Sequence, residues 1–171
     1  MAPNLSPYNP TTGIYTSTRP PVTLPPSPAT SITDFLFRNL ETHSDRPALI
    51  DPHSDRIVTF SDLKQSVSVL ARFLSRTHNV SRGDVVLVFA PNSVRFPVAF
   101  FALASIGAIT TTANPVYTVN ELAHQINDSK PKLIITVDQL RSKVNGFGIP
   151  ILDLEKENYS DKLIQKSSDR V

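Results

Sequence analysis

The chain has 171 residues, 40% of them hydrophobic and 19% charged, with 17 Lys and Arg against 15 Asp and Glu, a net charge of +2. That length suits an ordinary domain with a real core, and so small a net charge suggests no nucleic-acid or polybasic membrane surface. There is no cysteine, which excludes disulfides and thiolate metal sites.

Residues 1–33 hold eight prolines, many Ser and Thr, one cation (Arg19) and no acid. Proline lacks the N–H and fixes φ, so an extended tail over 1–30 is expected rather than a helix or central strand. It has no continuous apolar run of the secretory kind. With nothing routing the chain to glycosylation, the Asn-x-Ser triplets at Asn4, Asn79, Asn127 and Asn158 are read as incidental.

Residues 31–42, SITDFLFRNLET, open on a capping box, Ser31 with Asp34 three residues on. They place Ile32, Phe35, Leu36 and Leu40 on one helical stripe. PALID (47–51) and RIVTF (56–60) flank the polar PHSD and predict a hairpin. Residues 61–76 set Leu63, Val67, Leu70 and Leu74 on one face of an amphipathic helix. The run VVLVFA (85–90) is apolar on both faces, as a buried parallel strand requires.

After Pro91 and Asn92, Ser93 is the expected cap of a helix over 94–106, apolar nearly all round, with Pro97 tolerable in its first turn. The apolar stretch 96–109 is interrupted by Ser105 and Gly107 and falls short of the ~20 residues of a membrane span, so no membrane span is expected. Gly107 is read as the residue past the helix end, and 108–113 as a strand. Thr118 and Glu121 form a capping box for a helix to about Asp128, with Leu122, Ala123 and Ile126 inward. A strand at 132–137, a short helix near 138–144 and a strand over 148–154 follow, and the end, 156–171, is polar and helix-compatible. Strand and helix therefore alternate from Asp84 onward, which predicts an α/β fold, βαβαβαβ, with a parallel sheet flanked by helices. A helix–hairpin–helix segment and the Pro-rich tail precede it.

Motifs for chemistry are sparse. The first strand–helix turn, FAPNSVRF, carries no glycine, and neither G-x-G-x-x-G nor G-x-x-x-x-G-K-[ST] nor G-x-S-x-G occurs. His43, His53, His78 and His124 are scattered, with none at i+3 or i+4 from another, and are read as surface residues rather than metal ligands. Asp51, Asp84, Glu121 and Asp128 fall at element ends, where caps and turns account for them. For Thr110, Thr111 and Thr112 two readings stand. Their hydroxyls, or the Asn114 amide, face a ligand beyond the strand end; or threonine serves the strand and Asn-Pro the turn, which propensity favours.

The blocks DRPALI (45–50), TFSDL (59–63) and 83–140 carry GDVV, PNS, TTANP, the Tyr-Thr before a helix, and KLIIT, in the order and spacing of one family. Over about residues 30–155 the chain resembles the N-terminal part of plant 4-coumarate–CoA ligase-like proteins, which are adenylate-forming acid–CoA ligases. The GIYTSTRPPVTLPP leader is more similar to the peroxisomal branch. The resemblance implies that 31–155 is an incomplete N-terminal subdomain of an AMP-binding domain, in peroxisome or cytoplasm. It implies ATP, magnesium and coenzyme A for the full-length enzyme, and a hydroxycinnamate or fatty-type acid as substrate.

It also implies that the S-G-T-T-G-x-P-K-G phosphate loop, the Y-G-x-T-E motif, the ribose acid and the terminal lysine would lie beyond Val171. No residue here is therefore expected to be catalytic, cofactor-binding or metal-binding, no cofactor is expected for this chain, and this chain alone is expected to be inactive. Without a glycine or lysine beside them, Thr110, Thr111 and Thr112 do not replace the phosphate loop, and the turn explanation prevails. The expected partner is the remainder of the ligase. In an alternative, the chain is a non-catalytic module whose apolar helix 94–106 is covered by a partner protein.

Overall fold

The computed structural model describes residues 7–24 and 31–156. The end read as polar and helix-compatible thus lies, from residue 157, outside the described residues, as do 1–6 and 25–30 of the tail and the Asn4 and Asn158 triplets.

The tail has more local order than its prolines suggest. Strands β1 (Tyr8–Asn9) and β2 (Ile14–Tyr15) pair antiparallel. Asn9 Oδ1 accepts from Thr11 N at 2.9 Å, and Gly13 takes φ +71°, a value that suits glycine. The Tyr8 and Tyr15 rings meet at 4.7 Å across the pair. Pro7 precedes the hairpin and Pro10 sits in its turn, so neither occupies a strand position.

Helix α1 (Ile32–Phe37) starts on the Ser31–Asp34 capping box, each side chain accepting from the other's backbone N–H. Its buried face is not the expected stripe. Thr33 and Phe37 are buried, whereas Ile32 is 59% and Leu36 40% exposed. The cause is a polar anchor, Thr33 Oγ1 donating to Phe101 O at 2.8 Å, which turns positions 33 and 37 inward. The helix ends at Phe37, and a 3₁₀ turn over Leu40–Thr42 brings Leu40 back against the core.

Strands β3 (Pro47–Ile50) and β4 (Ile57–Thr59) make the expected antiparallel hairpin, with an irregularity between Pro47 and Leu49. The chain turns from β4 straight into helix α2 (Phe60–Thr77), capped by a Thr59–Asp62 box. Leu63, Val67, Leu70 and Leu74 are buried as the periodicity predicts, joined by Ala71 and Phe73.

The main sheet is parallel throughout: β5 (Val85–Phe89), β6 (Ile109–Thr112), β7 (Leu133–Thr136) and β8 (Ile151–Asp153), in the order β6-β5-β7-β8. The helices between them are α3 (Arg95–Ser105), α4 (Val119–Ser129) and the short α5 (Asp138–Arg141). Side chains alternate across a strand, so β5 serves two cores. Val86 and Val88 pack with residues of α2 and α3, while Leu87 and Phe89 pack with Leu122, Ile126 and Val144 on the other face. Every residue of β7 is buried, which is why its sequence shows no polar alternation.

Helix α3 lies against both α1 and α2, which explains a sequence apolar nearly all round. Its cap differs from expectation: Val94 is the N-cap, without a side-chain bond, and Ser93 sits one residue earlier, accepting from Arg95 N at 3.3 Å. Gly107 ends the helix as expected, at φ +73°. Helix α4 carries the Thr118–Glu121 capping box, and Lys130 closes it in the left-handed region. Leu122 and Ile126 are fully inward, while Ala123 is half-buried.

Candidate functional site

In parallel α/β sheets ligands lie beyond the carboxyl ends of the strands, and the connections there are the place to look. Each of the four has its polar groups largely committed. After β5, Arg95 Nη1 donates to Leu154 O at 3.1 Å, tying the start of α3 to the end of β8. After β7, buried Thr136 Oγ1 donates to Phe89 O at 2.7 Å, and Asp138 pairs with Lys156 at 2.8 Å, which holds the Asp138 carboxyl below its ordinary range. After β8, buried Asp153 accepts through Oδ1 from Glu155 N and Lys156 N, closing a turn.

The connection after β6 is the most organised. Asn114 Oδ1 accepts from Val116 N at 3.2 Å and Asn114 O from Tyr117 N at 2.9 Å, an Asx-type turn. Gln125 of α4 holds it on one side, Nε2 donating to Thr111 Oγ1 at 2.8 Å and Thr112 O at 3.1 Å. On the other side Lys143 Nζ donates to Tyr117 O at 2.8 Å and Pro115 O at 3.3 Å, and lies 5.9 Å from the Phe89 ring centroid.

Thr110, Thr111, Thr112 and Asn114 therefore occupy a strand end and its turn. Thr111 spends its hydroxyl on Gln125, Asn114 spends its amide oxygen on the turn, and Thr112 is exposed.

The carboxylates singled out from sequence are apart from this end or serve as caps. Asp51 is pulled down by the His53 N–H first and then the Ser54 hydroxyl, a turn at the tip of the β3–β4 hairpin. Glu121 is lowered by the Thr118 N–H and hydroxyl. Asp84 is pulled down to about 2, chiefly by Lys132 and then by Ser81. Asp128 is exposed in the last turn of α4. Of the histidines, His43, His53 and His124 are exposed, but His78 is half-buried with its ring 5.3 Å from that of Phe73.

A nucleoside triphosphate with magnesium needs free donors, cations and carboxylates converging on one point. Arg95, Lys143 and Lys156 at this end are tied to carbonyls and a carboxylate, and the turn after β5 has no glycine. No group of three His, Cys, Asp or Glu able to hold a metal exists among the described residues. These residues do not fit ATP or magnesium, and no chemical step is placed on them.

An open cleft of about 500 Å³ lies between the hairpin, α2 and the start of α3. Val58, Leu70, Val98 and Leu154 give it an apolar floor, and Arg56, Arg95, Asp62 and Glu155 a rim of both charges.

Sequence reasoning missed Gln125 and Lys143. Gln125 had a weak signal, lying one residue from Ile126 on the inward flank of a capped helix. Lys143 had none, because its acceptors are 26 and 28 residues earlier.

The sequence matches the AMP-binding enzyme family over residues 36–169. It is 40% identical over 150 residues to the probable CoA ligase CCL5 of Humulus lupulus, covering 88% of this chain and 27% of that protein. To the peroxisomal OPC-8:0-CoA ligase 1 of Arabidopsis thaliana it is 39% identical over 145 residues, 84% of this chain and 26% of that one. Among solved structures, the N-terminal subdomain of Klebsiella oxytoca NpsA in complex with 3-hydroxyanthranilyl-AMSN superimposes with a TM-score of 0.65 at 23% identity. That match covers 79% of this chain and 32% of that subdomain chain, and at such identity it speaks for the fold alone. The chain spans roughly a quarter of the length of these curated relatives.

Proposed function

The chain belongs to the AMP-binding enzyme family and corresponds to the N-terminal region of its acid–CoA ligases, and we propose that it is an N-terminal scaffold portion of an ATP-dependent ligase that joins a hydroxycinnamate or fatty-type carboxylic acid to coenzyme A through an acyl-adenylate. The observation that carries this is the match at 40% identity to a probable CoA ligase, over 88% of the chain. In the parent enzyme the chemistry falls to residues outside this chain, with ATP, magnesium and coenzyme A as that enzyme's requirements. These 171 residues supply a packed parallel sheet and its pinned carboxyl-end loops. By themselves they neither adenylate an acid nor bind ATP at micromolar concentration. The partner they require is the remainder of the ligase, and the compartment is peroxisome or cytoplasm.

Two assays test this. Purified 1–171 is incubated with ATP, magnesium and 4-coumarate or a medium-chain fatty acid, and pyrophosphate is measured against a heat-killed control; release above it refutes the inactivity of the isolated chain. Polypeptide captured from its source with an antibody to residues 1–30 is then assayed for acyl-CoA formation. Thioester appearing with one of these acid classes supports the ligase, and none with any acid refutes it.

A further inference from the structure

The cleft between the β3–β4 hairpin, α2 and the start of α3 carries apolar side chains that the described residues leave open to solvent. Ile57 on its rim is 56% exposed, and Val69, Val94 and Val98 along its walls are half-buried. Its volume of about 500 Å³ has room for several side chains. Covering such surface is favourable, and a contiguous open patch points to something that covers it.

The backbone itself leaves the described fold through this cleft. Leu154, Glu155 and Lys156 line it, and their course is fixed by several bonds. Arg95 Nη1 donates to Leu154 O at 3.1 Å. Asp153 Oδ1 accepts from Glu155 N at 2.9 Å and from Lys156 N at 3.1 Å, and Lys156 Nζ pairs with Asp138 at 2.8 Å. Residue 157 therefore starts at the edge of the cleft. Tyr159 comes three residues after Lys156, within about 10 Å of extended chain.

From residue 157 onward the sequence is polar except at Tyr159, Leu163, Ile164 and Val171. Tyr159 and Leu163 stand four apart, the spacing that puts two side chains on one face of a helical turn. Glu157, Asp161, Lys162 and Lys166 surround them with both charges, as Arg56, Asp62 and Glu155 do around the cleft. The AMP-binding match also runs on to residue 169, so by sequence this stretch is part of the family's domain.

We propose that residues 159–164 seat on the cleft, with Tyr159 and Leu163 against Ile57, Val69 and Val98. The occupant is the chain's own continuation, and the N-terminal unit extends to about residue 164 rather than closing near 155. This holds whatever reaction the parent enzyme performs, so it stands or falls separately from the ligase reading.

The test uses the full 171-residue chain with labelled methyl groups. Nuclear Overhauser effects are expected from the Tyr159 ring to methyls of Ile57, Val69 or Val98. Their absence overturns the proposal. A mixture of labelled and unlabelled chains locates the source: effects that arise only between molecules mean that a second copy fills the cleft, which also overturns it.

A double variant, Tyr159→Ser with Leu163→Ser, adds an independent reading and alters no residue of the described core. Its methyl shifts are expected to move at Ile57, Val69, Val94 and Val98 and to stay in place at Leu122 and Ile126, which belong to the other core. Unmoved cleft methyls, or equal movement in both cores, contradict the proposal.

Discussion

Lys132, at the foot of β7, places Nζ 2.8 Å from Asp84 Oδ2 and 2.7 Å from Asn79 O. The same carboxylate oxygen accepts from Ser81 N at 2.8 Å and Ser81 Oγ at 2.9 Å. One carboxylate therefore gathers the loop after α2 and the starts of β5 and β7. Lys132 first, then Ser81, lowers the Asp84 pKa from its ordinary 3.8 to about 2. A carboxyl depressed in the folded state stabilises it above the unfolded pKa, and that contribution is lost as pH falls through the folded value. The window for Asp84 thus runs from its ordinary 3.8 down to about 2. Asp84→Asn is expected to make stability fall less steeply across that window, without flattening it, because Asp51, Asp62, Glu121 and Asp138 are also lowered. Urea midpoints measured from neutral pH into the window check this; parallel curves for parent and variant would contradict it.

The Thr118–Glu121 box makes a separable prediction. Thr118→Ala removes a cap accepting from Glu121 N at 3.3 Å and is expected to cost about 1 kcal/mol. It also removes the hydroxyl donor to Glu121 Oε2, at 2.7 Å, and leaves the Thr118 backbone donor, at 2.8 Å. The backbone bond is the larger cause of the lowered Glu121 pKa, so that pKa should rise only part of the way toward its ordinary 4.5. Carboxyl-carbon NMR titration of Glu121 in the variant reads this directly.

These local devices were the part of the fold most legible in sequence. Capping boxes at Ser31 and Thr118 declare themselves because both partners lie within one turn. Thr59–Asp62 is chemically the same box, but Thr59 also ends β4, and its strand pattern hid the cap. The alternation of strands and helices from Asp84 gave the parallel sheet, because both-face apolar runs such as Leu133–Thr136 suit little else. Strand order β6-β5-β7-β8 was not legible, since alternation fixes neighbours in sequence rather than in space. Helical periodicity misplaced the buried face of α1 because it weighs Ile and Leu above Thr, and Thr33 is drawn inward by a hydrogen bond to residue 101. The carboxyl-end site suffers most from this limit. Lys143 and Gln125 organise it through contacts 13 to 28 residues apart, which no local pattern records.

Backbone conformation gives a third test. Gly107 sits at φ +73°, and a Cβ there would meet Arg82 Cγ at 3.0 Å. Its carbonyl accepts from Gly83 N at 3.0 Å, binding the end of α3 to the turn before β5, so the backbone is not free to rotate away. Gly107→Ala is expected to cost about 1–2 kcal/mol from the left-handed conformation, the arginine stem moving aside at little cost. Gly146 meets nothing within 4 Å and has no positive φ, so Gly146→Ala should stay within ~0.5 kcal/mol of the parent. Equal urea midpoints for the two variants would show that the Gly107 conformation carries no strain.

The last prediction separates the second core from the loop that decorates it. Leu87 is fully buried on the α4 face of β5, in one cluster with Phe89, Leu122 and Ile126. Leu87→Ala leaves a cavity between sheet and helix and should cost about 2–5 kcal/mol, a large share of a small domain's stability. Val119, in the first turn of α4, is 51% exposed. Val119→Ala removes little packing and replaces a β-branched residue by the best helix former, so its effect should be near zero or slightly stabilising, within ~0.5 kcal/mol. Chemical denaturation of both variants at one pH is the check. A loss at Val119 comparable to that at Leu87 would mean that α4 is held by its exposed first turn rather than by the Leu87 core. The boundary between scaffold and exposed loop at the carboxyl end of the sheet would then have to be redrawn around Val116 and Val119.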